Sequence, residues 1–126
     1  MNGNDYQIQA MRTNDKRASI RLDAKMVQSQ WYDEDFGGII NACLGLSGEV
    51  GELNDLIKKW VFHDGDIDLD HLKKELGDIM WYVAMMCESC GWKLDDVMQM
   101  NVDKLKKRYP EGFDPFRSAH RKAGDV

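Results

Sequence analysis

GLSGEVGELNDLIKK, residues Gly45 to Lys59, is the stretch on which the fold turns. Its apolar residues Leu46, Val50, Leu53 and Ile57, with Trp60 just beyond, recur at steps of four and three, the signature of one buried helical face. Yet Gly48 and Gly51 each cost a helix roughly 1 kcal/mol relative to alanine. When residues 49–61 are laid out at about 100° per residue, Glu49 falls inside the apolar arc and Glu52 borders it. A helix that tolerates two glycines and sets two acids against its hydrophobic stripe needs a reason to do so.

Outward from this stretch, one helix is expected from about Phe36 to Val61. FHDGDIDLD, residues 62–70, then breaks the chain with Gly65 and a cluster of aspartates. A second strong helix opens near Asp70 and runs to about Cys90, with Leu72, Leu76, Ile79, Val83 and Met86 at the same steps, and Gly91 closes it. A third runs from about Leu94 to Arg108, carrying Leu94, Val97, Met98 and Leu105 on one side, and Pro110 follows it. Upstream, Asn4 or Asp5 caps a helix to about Met11, and a weakly amphipathic helix spans Leu22 to Trp31. No segment alternates as a strand. The expectation is an all-α antiparallel bundle of four to five helices forming a single domain over residues 1–126, with a mobile polar tail from about residue 117.

The second strong helix repeats the acidic pattern of the first. Glu49-Val50-Gly51-Glu52-Leu53 aligns with Glu75-Leu76-Gly77-Asp78-Ile79. Glu75 falls between Tyr82 and Met86 on its wheel, and Asp78 between Met85 and Tyr82. Acids three apart share a helix face, so two facing helices would gather four carboxylates. Desolvating each costs several kcal/mol even after relaxation, so the quartet needs cations. Oxygen ligands suit Mg2+, which shares its coordination sphere with waters and substrate phosphates. Gly51 and Gly77 are then expected where helices, or a ligand, approach closely. A lone E-x-x-E pair would be an ordinary solvated face; two pairs, each split by glycine and each on the apolar side, are not.

Bulk properties limit the alternatives. The 126 residues are enough for one core. A net charge of −5 argues against a nucleic-acid partner, because phosphate-backbone binding relies on clustered lysine and arginine. The polar start MNGNDYQIQA lacks the apolar region of a secretory signal, and the longest apolar run, Ile79 to Cys87, is too short for a bilayer. Cys43, Cys87 and Cys90 form no disulfide framework. No membrane partner and a cytoplasmic location are expected.

With these residues in place, the chain resembles the MazG-like all-α nucleoside triphosphate pyrophosphohydrolases. The resemblance rests on GLSGEVGELNDLIKK (45–59), KKELGDIMWYVA (73–84) and NVDKLKKRYPEGF (101–113), and covers roughly Ala42 to Phe113. The family motif is E-x-x-E followed after a spacer by E-x-x-D, matched here by Glu49, Glu52, Glu75 and Asp78. The resemblance implies hydrolysis of a nucleoside triphosphate to the monophosphate and pyrophosphate, in nucleotide-pool control or removal of aberrant nucleotides. It implies those four acids as catalytic ligands of Mg2+, with Mn2+ as a substitute, and a dimer or tetramer. No side-chain nucleophile is required, because metal ions neutralise developing phosphate charge and activate water; one acid, with Glu52 the candidate, orients or deprotonates that water. Asn101, Lys104 and Arg108 are carried over as phosphate contacts, with Tyr109 a weaker candidate. DYQIQAMRT (5–13) also resembles family members, whose first helix helps wall the nucleotide pocket, and Gln7 would read a base edge there unless it is an ordinary exposed polar position. Lys59, next to Glu52 on the wheel, is a further substrate contact unless it is a surface lysine paired with an acid.

Two other readings compete. Asp64, Asp66, Asp68 and Glu75 fall at positions 1, 3, 5 and 12 of a calcium-binding loop, although Leu69 replaces the glycine at position 6. A non-catalytic nucleotide-binding sensor is the other. Cys87 and Cys90 form a C-x-x-C that could take zinc with His63 or His71, but no second pair accompanies it and core cysteines are expected. The four tryptophans are likewise expected mainly in the core.

Overall fold

In the computed structural model, which describes residues 1–125, six helices follow one another: α1 (Gly3–Ala10), α2 (Ala18–Ser29), α3 (Phe36–Phe62), α4 (Leu69–Ser89), α5 (Leu94–Arg108) and α6 (Pro115–Ala119). A 3-10 turn, Met11–Thr13, ends α1, and there is no strand among the described residues. The all-α expectation holds. α3 and α5 run almost where the periodicity sets them, α2 begins four residues earlier than expected at Ala18, and α6 adds a short helix that hydrophobic period alone does not reveal.

Local chemistry sets the ends. Asp35 caps α3 by accepting from the Gly38 N–H at 3.0 Å, and Asp68 caps α4 by accepting from the His71 N–H at 2.9 Å. Gly91, at φ +67°, closes α4. Its N–H donates to the Glu88 carbonyl at 3.1 Å and the Trp92 N–H to the Cys87 carbonyl at 2.8 Å, satisfying two end carbonyls. α5 carries Asp95 and Asp96 in its first turn and Lys106, Lys107 and Arg108 in its last, matching the helix dipole. Pro115 opens α6 beside the capping Asp114.

The body of the fold is the antiparallel hairpin of α3 and α4, with α2 packed on α3. The hairpin is fastened at its open end, where the Asp35 N–H donates to the Ser89 carbonyl at 2.8 Å. Its seam is made of small residues. Gly38 faces the Ser89 hydroxyl, Ala42 is fully enclosed, and Gly45 lies against the Tyr82 ring so closely that a Cβ there would collide with it. This corrects the sequence reading of the glycines: Gly51 and Gly77 have open space around their Cβ positions, and the close approach is at Gly38 and Gly45. The register that sets Gly45 on Tyr82 carries Glu49 and Glu52, one and two turns further along α3, to the level of Asp78 and Glu75.

Little else is enclosed. Ala42 and Cys87 are the buried apolar residues among those described. Trp31, Trp60, Trp81 and Trp92 are all exposed, correcting their expected place in the core. α3, α4 and α5 also turn Leu44, Phe62, Leu76, Met80, Met98 and Leu105 to the surface. No helix is long and apolar enough to cross a membrane.

Candidate active site

The hairpin brings three of the four expected acids together: one carboxylate oxygen each from Glu49, Glu52 and Glu75 lies within 4.8 Å of the others. Among the described residues this is the one group of three or more potential metal ligands so placed. Asp78 lies outside it and is exposed, as is Glu52; Glu49 is half-buried. The expectation that all four acids share a buried face is therefore corrected. Only Glu75, 8% exposed, is enclosed.

The electrostatics follow from this crowding. The Glu49 carboxyl is pushed above the ordinary carboxylate range, first by partial burial and then by the negative charges of Glu52, Asp78 and Glu75. Glu75 is held at one oxygen only: Oε1 lies 2.8 Å from His71 Nε2, whereas Oε2 is buried with no hydrogen-bond partner. A buried, unpartnered carboxylate oxygen is costly in a native fold. An orphaned anionic oxygen beside two further carboxylates fits a hard, oxygen-seeking divalent cation. Glu49, Glu52 and Glu75 are the residues that would hold it.

The basic residues are gathered elsewhere. Lys104 and Arg108 line a cavity of about 1310 Å³ between α5 and residues 114–125, together with Lys107, Arg117 and Arg121. None of the four acids lines it. Arg108 is nine-tenths buried and clasped by Asp125, with Nε donating to Oδ2 at 2.7 Å and Nη2 to Oδ1 at 2.5 Å. This forked pair holds the Asp125 carboxyl below the usual carboxylate range. Residues from about 117 onward, expected as a mobile tail, thus include the end of α6 and this pair. Tyr109 is half-buried, with its ring 5.5 Å from that of Phe113.

The remaining candidates sit on α1, on α5 and further along α3. Asn101 is exposed on α5. Lys59 pairs with Asp55 at 2.5 Å, the surface pairing that competed with a substrate role. Gln7 is exposed on α1, whose contacts are chiefly with the 3-10 turn after it. The calcium-loop reading is overturned: Asp64, Asp66 and Asp68 form no ligand group with Glu75, which turns toward Glu49 and Glu52 while Asp68 caps α4. The zinc reading fails as well, since Cys87 is buried and the Cys90 thiol packs on the Met86 sulfur at 3.9 Å. Sequence reasoning missed Asp125, for which no local pattern exists. It also missed the His71–Glu75 contact, whose signal was a histidine and a glutamate four apart on one helix.

A protein of Mycobacterium phage L5 named Gene 37 protein is 38% identical over 80 residues, covering 60% of this chain and 69% of the phage protein. No solved structure matches significantly. The family model described as MazG nucleotide pyrophosphohydrolase domain matches residues 40–113, which takes in α4, α5, nearly all of α3 and every acid of the cluster. The chain therefore belongs to the MazG nucleotide pyrophosphohydrolase domain family.

Proposed function

We propose that this protein hydrolyses a nucleoside triphosphate to the nucleoside monophosphate and pyrophosphate, using Mg2+, or Mn2+ in its place, at Glu49, Glu52 and Glu75, with Asp78 as the outlying acid. The observation that carries the reading is the convergence of three carboxylates, one of which, Glu75, has a buried and unpartnered Oε2. When bound, the cation supplies charge neutralisation for the phosphate oxygens and a more acidic water. The protein's own share is positioning. Glu52, the exposed member of the three, is the acid we assign to orient a water and take its proton as the anhydride between the α and β phosphoryl groups opens. Pyrophosphate leaves as an anion, and the proton passes to solvent. Asn101, Lys104 and Arg108 contact the phosphates, and a phosphate reaching Arg108 competes with Asp125 for its donors.

The exposed apolar faces and the separation of acid cluster from basic cavity support a dimer or tetramer, in which a second copy covers those faces and closes the site. Light scattering that returned monomer alone would overturn the assembly. A panel of nucleoside triphosphates with Mg2+, read by pyrophosphate release, tests the chemistry. Release that disappears in Glu49→Gln and persists in Asp66→Asn supports the enzyme. Binding without release would replace it with a nucleotide sensor.

A further inference from the structure

His71 takes no part in the activity described so far, yet among the described residues it makes the one side-chain hydrogen bond of the buried Glu75 carboxylate, with Nε2 and Oε1 2.8 Å apart. An ordinary histidine–glutamate pair four apart on a helix surface contributes a few tenths of a kcal/mol. Here the two partners differ: the His71 side chain is half-exposed, whereas that of Glu75 is nine-tenths buried. The imidazole therefore reaches in from solvent and covers the carboxylate. His71 is itself seated, because Asp68 accepts from its backbone N–H as the cap of α4. For Glu75 to serve as an ionised ligand it must accept from His71, which requires the shared proton on Nε2.

We propose that His71 is a positioning residue of the metal centre: it holds Oε1 of Glu75, fixes the orientation of that carboxylate toward Glu49 and Glu52, and leaves Oε2 as the oxygen available to a divalent cation. The inference rests on the metal-centre reading above. Outer partners that orient a ligand alter metal affinity about 10- to 100-fold when removed. Without His71, Glu75 is free to turn toward solvent and the cation loses a preset ligand.

The test is Mn2+ binding by the protein alone, without nucleotide, followed by calorimetry or electron paramagnetic resonance. Glu75→Gln is expected to lose binding, and His71→Ala to weaken it by at least about tenfold. His71→Gln, whose amide can donate from the position of Nε2, is expected to restore most of the affinity. In turnover assays His71→Ala should raise the Mn2+ concentration for half activation while leaving kcat at saturating metal near that of the parent, a split that general loosening of α4 would not produce. His71→Ala binding Mn2+ like the parent while Glu75→Gln does not would overturn the role of His71 alone. Unchanged binding in Glu75→Gln would overturn the metal-centre reading with it. Should His71→Ala fail to fold, nitrogen-15 spectra of the parent's histidine ring decide: a proton on Nε2 supports the proposal, and a bare Nε2 overturns it.

Discussion

Glu49 faces three other acids on a half-buried stretch of helix, and its carboxyl is held above the ordinary range by burial and by their charge. For a carboxylate, a raised folded-state pKa means that ionisation opposes folding. The metal-free protein therefore loses stability as pH rises from the ordinary carboxylate range through Glu49's raised value. Glu49→Gln should remove this dependence and raise the melting temperature of the metal-free protein at neutral pH, while lowering kcat/KM by more than about 100-fold, since a ligand counts for more than an outer partner. Scanning calorimetry beside a pyrophosphate assay checks both halves. At this scale the sequence was readable where spacing alone determines geometry: acids three apart on facing helices meet, and Glu49, Glu52 and Glu75 do. It was not readable for Asp78, which stands about 60° round α4 from Glu75 and is exposed where Glu75 is enclosed. Nor could any local pattern show Asp125 reaching back over 17 residues to Arg108.

The α3–α4 hairpin is where glycine placement can be tested. At Gly45 a Cβ meets the Tyr82 ring, so Gly45→Ala must push the helices apart and should destabilise the fold by about 1–3 kcal/mol. At Gly51 a Cβ meets nothing, so Gly51→Ala should add roughly 0.5–1 kcal/mol through helix propensity. Urea unfolding of the two variants gives opposite signs. Sequence reading chose Gly51 because it stands between the acids, whereas contact is decided by the partner opposite, and the bulky Tyr82 stands across from Gly45. Further along α3, Lys58 and Lys59 bracket Asp55 and lower its carboxyl to about 2. A depressed folded-state value contributes stability above the ordinary range of 3.8 that is lost as pH falls toward about 2. Asp55→Asn should flatten that limb of the acid-unfolding curve, by a small amount because the pair is exposed and salt-screened.

For the molecule as a whole, the forked Arg108–Asp125 pair lies in the wall of the basic cavity, with Asp125 taking two of the guanidinium's donors. Asp125→Ala should lower KM for the triphosphate by at least about twofold, since those donors are returned to the phosphate, with kcat little changed; steady-state kinetics with varied substrate would show an unchanged KM if the pair were no obstacle. The global shape was the part of the fold least legible in advance. Helix period fixes which residues line one face of a helix but not what covers that face, and so the tryptophans, expected inside, stand at the surface. The seam described for α3 and α4 carries one last consequence. Its completely enclosed residue is an alanine, and no large side chain is sealed away among the described residues. In the assembly proposed above folding and association are coupled, and the melting midpoint should climb with each tenfold increase in protein concentration.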